Sequence, residues 1–198
     1  MKNLALFDFD GTITNRDTMV ALVRFLHSPV RYYGEMARLS PILLGYKLNI
    51  IQNDVAKKHF LARFIGGVNA KEFDERCKQF AQEVIPLMVR NRALEEINAL
   101  QNSGYRIVIV SASAENWVKP WADIYGYEVI ATQLQIRDQR INGKLEGKNC
   151  HGREKVNRIR QTIDLQNYEV IHAYGDSRGD LPMLALASEG RAFYKPFR

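Results

Sequence analysis

One stretch constrains this chain more than any other: residues 4–11, with the sequence LALFDFDG. Four consecutive apolar residues predict a short strand buried on both faces, as in a parallel sheet that is covered by helices. Gly11 and the polar residues after it end the strand, so Asp8 and Asp10 lie at its carboxyl end. Ligands of open α/β sheets bind at this edge. Two carboxylates here indicate a metal site or acid–base chemistry, with a simple Asp-Gly turn as the alternative.

After residue 96 the sequence alternates between strand-like and helix-like segments. This alternation predicts an α/β fold with a doubly wound, mainly parallel, Rossmann-like sheet. Residues 133–147 alternate in polarity and contain Asn142-Gly143, which predicts the turn of a β-hairpin. The predicted strands after residue 96 are 105–110, 128–132, 168–174 and 192–194.

Residues 17–95 show no strand pattern and predict an all-helical insertion, which we call the helical segment. Ser28-Pro29 and Ser40-Pro41 each predict the beginning of a helix. Asn69 with Glu72 predicts the start of a longer helix that ends near Met88. The predicted domains are a core made of residues 1–16 and 96–198, and the helical segment inserted after the first strand.

Positive charge is concentrated in the helical segment. The chain has a net charge of +6, and residues 18–95 have twelve Lys and Arg against seven Asp and Glu. Arg24, Arg31 and Arg38 recur every seven residues, which indicates either a basic stripe or an ordinary solvated helix face. A basic excess fits an anionic substrate or an anionic membrane surface. No RNA-recognition motif is present, so we predict no nucleic-acid partner. The interspersed charges also exclude a membrane-spanning stretch here.

Cysteine content and the start of the chain predict a cytoplasmic protein. Cys77 and Cys150 are too few for a disulfide framework and fit a reducing compartment. The sequence enters a strand almost at once, without the basic and apolar regions of a signal peptide. Peripheral contact with the inner face of the membrane is the alternative to a fully cytoplasmic location.

Polar side chains follow three of the predicted strands. The pairs are Asp8 and Asp10, Ser111 and Ser113, and Asp176 and Asp180. Because parallel strands present their carboxyl ends at one edge, we expect these pairs to meet, with Lys155 from a neighbouring helix. Several carboxylates without His or Cys ligands favour Mg²⁺. A cation, a lysine and a hydroxyl together fit a phosphate group, and a carboxylate nucleophile there would form an aspartyl-phosphate.

These motifs resemble those of a known family. DFDGT at 8–12, Ser111, Lys155 and GDSxxD at 175–180 are similar to the four motifs of the haloacid dehalogenase superfamily. The helical segment resembles the helical cap of its phosphoserine-phosphatase-like branch, subfamily IB. The resemblance covers essentially the whole chain. It implies a Mg²⁺-dependent phosphomonoester phosphatase that acts through an aspartyl-phosphate intermediate.

The resemblance also implies which residues carry out catalysis. Asp8 would be the nucleophile, and Asp10 the general acid and base. Ser111 would hydrogen-bond the phosphoryl oxygens, and Lys155 would neutralise their charge. The implied Mg²⁺ ligands are Asp8, the backbone carbonyl of Asp10 and Asp176, with Asp180 supporting the metal or the lysine.

Substrate recognition is less defined by the motifs. Gly11, Thr12 and Ala112 would shape the phosphate loop, and Asp17 would contact the substrate or only begin a helix. Phosphoserine phosphatases have Glu where this chain has Asp17, Ser-Gly-Gly where it has Ser-Ala-Ser at 111–113, and Asn where it has Gly179. We therefore expect a small organic phosphate, phosphoserine-like or another head group. The alternative is a phospholipid head group at the membrane surface, as for phosphatases of the phosphatidylglycerophosphatase type.

Two non-hydrolytic functions stay open from the sequence. Receiver domains also combine an acid cluster, a hydroxyl and a lysine on an α/β sheet, but they place the acceptor Asp in mid-chain. A basic protein that only binds anionic surfaces is the other alternative. Release of phosphate from small phosphomonoesters distinguishes a hydrolase from both.

Overall fold

The computed structural model describes residues 2–48 and 50–198. The strands in this part of the chain are β1 (Asn3–Phe7), β2 (Tyr105–Ala114), β3 (Glu128–Arg137), β4 (Arg140–Glu146), β5 (Val170–Gly175) and β6 (Ala192–Tyr194). The helices are α1 (Thr18–Leu26), α2 (Pro29–Lys47), α3 (Asn53–Ile65), α4 (Ala70–Glu83), α5 (Asn91–Asn102), α6 (Glu115–Ile124), α7 (Arg153–Thr162) and α8 (Leu181–Leu184). Short helical turns cover Ile85–Met88, Leu165–Asn167 and Arg178–Asp180.

The strands form one sheet in the order β4–β3–β2–β1–β5–β6. Neighbouring strands are parallel except β3 and β4, which form an antiparallel hairpin. In the centre, Phe7 of β1 lies opposite Ile109 of β2 and Tyr174 of β5. The predicted α/β fold with a mainly parallel sheet is therefore confirmed. This register places the carboxyl ends of β1, β2 and β5 side by side.

Both faces of β1 are buried, as its apolar run predicted. Ala5 and Phe7 belong to one hydrophobic cluster, which also contains Trp117 of α6. Leu4 and Leu6 belong to a second cluster on the other face of the sheet. Alternate side chains of a strand point to opposite faces, so helices on both sides cover β1. This burial fixes the position of the loop that follows β1.

Helices α1–α4 connect to the sheet through two adjacent backbone segments. The Asn15 amide donates to the Met88 carbonyl at 2.8 Å, and the Arg90 amide donates to the Ile13 carbonyl at 2.8 Å. The helices therefore leave and re-enter the sheet region at one place. Among the described residues, no helix is both long and apolar enough to cross a bilayer.

The predicted helix start at Ser40-Pro41 is wrong, because α2 runs through it. The start at Ser28-Pro29 is confirmed, with the Ser28 hydroxyl accepting from the Arg31 amide. Pro41 lacks the N–H that would bond to the Ala37 carbonyl. The Ser40 hydroxyl donates to that carbonyl instead, at 2.7 Å. The side chain thus offsets the hydrogen bond that the proline removes, and the helix continues.

The predicted helix start at Asn69 is confirmed, but the predicted end near Met88 is wrong. The Asn69 side chain accepts from the amides of Lys71 and Glu72 at 3.0 and 3.3 Å. The helix ends at Glu83, and a separate helical turn follows. Pro86 lacks the N–H that would bond to the Gln82 carbonyl, which accounts for the break.

The hairpin of β3 and β4 is present, but its turn is not at Asn142-Gly143. The turn is formed by Asp138 and Gln139, with φ angles of 48° and 60°. Gly143 lies inside β4, and a Cβ there would be 2.3 Å from Cα of Ala62 in α3. The glycine therefore permits close packing of α3 against the hairpin, a contact that local sequence does not reveal.

Candidate active site

Asp8 and Asp10 lie in a tight loop directly after β1. The Asp8 amide donates to the Tyr174 carbonyl at 2.9 Å, which extends the pairing of β1 with β5. Gly11 has a φ of +84°, and a Cβ at this position would be 2.5 Å from a carboxylate oxygen of Asp176. The loop after β1 therefore packs directly against the loop after β5, and a glycine is needed at the contact.

Lys155 of α7 connects the loops at the sheet edge. Its ammonium is almost fully buried and donates to Oδ1 of Asp8 and Oδ1 of Asp180, both at 2.6 Å. It also donates to the Val110 carbonyl at 2.8 Å. Three acceptors match the three donors of an ammonium group. Burial alone would lower the Lys155 pKa, but the charges of Asp8 and Asp180 outweigh it and the pKa is raised. The lysine is thus held as a cation in a fixed position.

Three carboxylates lie beside Lys155 at the carboxyl edge of the sheet. One oxygen from each of Asp8, Asp176 and Asp180 lies within 4.8 Å of the other two. Asp180 is held by Lys155 and, through Oδ2, by the amide and hydroxyl of Ser177 at 2.9 and 2.7 Å. Asp176 forms an ion pair with Arg198. An all-oxygen donor set with excess negative charge fits Mg²⁺.

The Asp8 carboxyl is difficult to ionise in this environment. Burial raises its pKa to about 7, and the charges of Asp180 and Asp10 add to this, while Lys155 opposes it. Thr12 donates to Oδ2 of Asp8 at 3.0 Å. A cation bound to Asp8 would favour its ionised form. The raised pKa and the carboxylate cluster therefore both fit the metal that the motifs imply.

Asp10 points away from the lysine and is held by hydrogen bonds of its own. Oδ1 accepts from the Thr18 amide at 2.6 Å and from the Thr18 hydroxyl at 2.7 Å. Oδ2 accepts from the Ser113 hydroxyl at 2.6 Å. Trp117 Nε1 in turn donates to the Thr18 hydroxyl at 3.0 Å. Burial raises the Asp10 pKa to about 6, Asp17 adds to this, and the bonds from Ser113 and Thr18 oppose it. A pKa near the working pH suits a group that both gives and takes a proton.

The site faces a cavity of about 420 Å³. Its wall on the sheet side includes Asp8, Asp10, Ala112, Lys155 and Asp176. Its opposite wall comes from α1, α2 and α3. The residues that these helices contribute are Met19, Val20, Met36, Leu43, Tyr46, Ala56, Lys57 and Phe60. A polar reaction centre therefore faces a mostly apolar wall.

The remaining predicted residues lie at different distances from this cavity. Asp17 lines it, and its side chain also accepts from the Val20 amide at 3.0 Å, as the first residue before α1. Gly11, Thr12 and Ser111 are not among its lining residues in the described part of the chain. Ser111 is fully buried, and its hydroxyl accepts from the Ser113 amide at 2.9 Å. Ser113, not Ser111, is the serine of this pair that faces the cavity.

Lys57 of α3 is a site residue that sequence reasoning missed. Its ammonium reaches across the cavity edge to the Ala112 carbonyl and to Oδ1 of Asn149, the latter at 2.8 Å. Burial lowers its pKa to about 8. In the sequence it precedes Lys58 and His59 and is typical of a solvated helix face. Thr132, the last residue of the predicted strand 128–132, donates to the same carbonyl at 2.7 Å.

His151 was also missed, and it explains one departure from the phosphoserine phosphatase pattern. A Cβ at Gly179 would be 2.2 Å from Nε2 of His151. The imidazole thus occupies the space that a side chain at 179 would take, and it lines the cavity. Partial burial and the charge of Lys155 lower the pKa of His151.

The chain is similar to known hydrolases and phosphatases. The family model of haloacid dehalogenase-like hydrolases matches residues 5–185. The protein CicA of Caulobacter vibrioides is 33% identical over 188 residues, which cover 94% of this chain and 83% of CicA. A histidinol-phosphatase of Neisseria meningitidis is 28% identical, with coverage of 96% and 89%. A solved phosphoserine phosphatase, in a phospho-aspartyl intermediate analogue form, has a TM-score of 0.68 at 21% identity, with coverage of 94% and 83%.

The chain belongs to the haloacid dehalogenase-like hydrolase family. It is an enzyme of the phosphatase type. The two non-hydrolytic interpretations of the sequence are therefore set aside.

Proposed function

We propose that this enzyme is a Mg²⁺-dependent phosphatase of a small phosphomonoester and acts through an aspartyl-phosphate on Asp8. The observation that carries the proposal is the contact of Lys155 with both Asp8 and Asp180, beside a separately held Asp10 at the same cavity. A carboxylate nucleophile, a fixed cation and a second acid are the groups that such a reaction requires.

The reaction has two steps in this proposal. An Asp8 carboxylate oxygen attacks phosphorus, the bond from phosphorus to the ester oxygen breaks, and Asp10 gives its proton to the departing alkoxide. Water then attacks the aspartyl-phosphate while Asp10 takes its proton, and the bond between Asp8 and phosphorus breaks to release inorganic phosphate. Lys155 stabilises negative charge on the phosphoryl oxygens in both steps.

Asp8 and Asp176, with the Asp10 carbonyl, would hold the Mg²⁺, and Asp180 would support Lys155. When bound, the ion supplies positive charge that neutralises the carboxylates and the phosphoryl group. Ser111 would contribute indirectly, because its hydroxyl accepts from the Ser113 amide and stabilises the end of β2. Gly11 and Thr12 would shape the phosphate loop.

The apolar wall favours a substrate whose organic group has apolar surface. Met19, Val20, Met36, Leu43 and Phe60 face the reaction centre. Polar contacts from that side are available from Asp17, Lys57 and His151. Such a wall suits the compact, fully charged body of phosphoserine less well than a longer or aromatic phosphate ester. A phospholipid head group is the second candidate.

We also propose that residues 17–95 act as a cap over a core of 1–16 and 96–198. The backbone crossing at 13–15 and 88–90 supports a cap whose two chain connections to the core lie side by side. The cap would exclude water during the first step. A cytoplasmic location stays a prediction.

A phosphate-release assay with Mg²⁺ and with a chelator tests the proposal. The panel is p-nitrophenyl phosphate, phosphoserine, histidinol phosphate, glycerol phosphates and phosphatidylglycerophosphate in mixed micelles. We expect chelator-sensitive turnover and a covalent phosphoryl label on acid-quenched enzyme that hydroxylamine removes. Asp8→Asn should abolish both. The absence of turnover across the panel, in folded protein with Mg²⁺, would refute the proposal.

A further inference from the structure

Helix α2 has an apolar stripe on the side that faces away from the cavity. We call it the outer stripe; its members are Val30, Tyr33, Ala37, Pro41, Leu44 and Leu48, all exposed. The spacing of three and four residues confines them to an arc of roughly 80° at 100° per residue. Val30, Tyr33, Leu44 and Leu48 are 85%, 60%, 57% and 60% exposed. Among the described residues, seven of the twelve large exposed apolar side chains lie between 30 and 55. The exposed apolar surface is therefore concentrated at α2 and its end.

Basic side chains flank the outer stripe. Arg31 and Arg38 are exposed along one flank, and Lys47 is exposed on the other. The only acid in α2 is Glu35, which lies nearer the inner face and is paired with Arg38 and Arg63. An exposed apolar stripe between basic flanks is the pattern of a helix that lies in a membrane interface.

We propose that the outer stripe of α2 docks on an anionic lipid surface. The apolar side chains would enter the interface while Arg31, Arg38 and Lys47 contact anionic head groups. A second copy of the chain fits less well, because like-charged flanks from both molecules would then surround one apolar contact. Anionic lipid complements both the stripe and its flanks.

Docking would bring the cavity close to the lipid. The opposite face of α2 supplies Met36 and Leu43 to the cavity, and Tyr46 lines the cavity while 42% exposed. One helix would therefore have lipid on its outer side and substrate on its inner side. The inference goes beyond the proposed function and does not depend on it. Inactive Asp8→Asn protein should bind lipid as wild type does.

Sedimentation with vesicles tests the inference. Wild type should bind phosphatidylglycerol–phosphatidylcholine vesicles at low salt, bind less as salt rises, and bind little to phosphatidylcholine alone. The double variant Leu44→Asp, Leu48→Asp should lose binding by roughly tenfold or more. Arg31→Gln with Arg38→Gln should reduce binding to anionic vesicles only.

Leu87→Asp is the matched control, because Leu87 is 75% exposed but lies on the turn after α4. It should bind as wild type does. Hydrolysis of p-nitrophenyl phosphate should be unchanged in the Leu44, Leu48 double variant, which shows that it folds. No binding at low salt, or equal loss in Leu87→Asp, would overturn the inference. A dimer in sedimentation velocity that the double variant abolishes would also overturn it and assign the stripe to a second copy.

Discussion

The two walls of the cavity differ in how firmly their polar groups are held. On the sheet side, Asp8, Asp10 and Asp180 are each fixed by two or more hydrogen bonds. On the helical side the wall is mostly apolar, and Lys57 contacts the edge of the sheet side. The fixed charges of the sheet side would act on the phosphate group, which all phosphate esters share. In the proposed function, the helical side would contact the organic part of the substrate and supply shape and a few charges.

Asp8→Asn tests the sheet side at its centre and should have the largest effect. The amide is nearly isosteric but is not a nucleophile, so kcat should fall by roughly 10⁴-fold or more. Steady-state phosphate release measures this. Asp123→Asn, which alters an exposed partner of Lys119, is the control and should keep wild-type activity. Substantial turnover by Asp8→Asn would mean that the nucleophile lies elsewhere.

The sheet side could be predicted from sequence because it depends on one general rule. A buried apolar run fixes β1, and parallel strands bring their carboxyl ends together whatever the sequence separation. Asp8 and Asp176 follow strands that are far apart in the sequence, and the rule brings them to one edge, where they share a carboxylate cluster. The rule does not give side-chain orientation. It therefore did not show that Ser113 would hold Asp10 and face the cavity while Ser111 stays behind it.

The helical side could not be predicted in the same way, because its features depend on long-range packing. The continuity of α2 at Pro41 depends on one hydroxyl that replaces a lost backbone donor. Gly143 resembles a turn residue but serves the close approach of α3. Lys57 looks solvated in sequence but is partly buried, because α3 lies over the sheet edge and its ammonium bonds to Ala112 and Asn149 there. Local patterns contain no information on these contacts.

Gly143→Ala should affect the helical side of the cavity more than the sheet side, because it disturbs the packing of α3 on β4. The new Cβ would meet the Ala62 backbone at 2.3 Å, and the residue has a φ of +76°. We expect the free energy of unfolding to fall by roughly 3–5 kcal/mol. Urea denaturation measures it. Gly126→Ala, with a φ of +72° and open space around its Cβ, isolates the cost of the backbone conformation at roughly 1–2 kcal/mol. Equal losses in the two variants would show that α3 adapts to the added methyl group.

Thr18→Val tests one of the two hydrogen bonds by which Thr18 of α1 holds Asp10, the proposed acid and base. It removes the hydroxyl that donates to Asp10 and accepts from Trp117, and it retains the backbone amide bond. Loss of a hydrogen bond to a charged group should lower kcat by roughly 10- to 100-fold, with KM little changed. Steady-state kinetics of p-nitrophenyl phosphate hydrolysis measure it. Thr162→Val, whose hydroxyl bonds a carbonyl within α7, should have no effect on kcat. A rise in KM alone would place Thr18 in substrate binding instead.

Loss of the Lys57 charge should have the smallest of these effects. It tests the contact that Lys57 of the helical side makes with the sheet side. Burial lowers its pKa from 10.5 to about 8, so its attraction for an anionic substrate is lost as pH rises through 8. We expect kcat/KM to fall by roughly fivefold across this step. Between pH 8 and 10.5 the unfolded chain binds the proton that the folded chain lacks, so the free energy of unfolding from this group rises with pH. Lys57→Met, which has no ionisable group, should lose both the kinetic step and this rise, and Lys58→Met should retain them. A step at pH 8 that survives in Lys57→Met would assign the titration to another group.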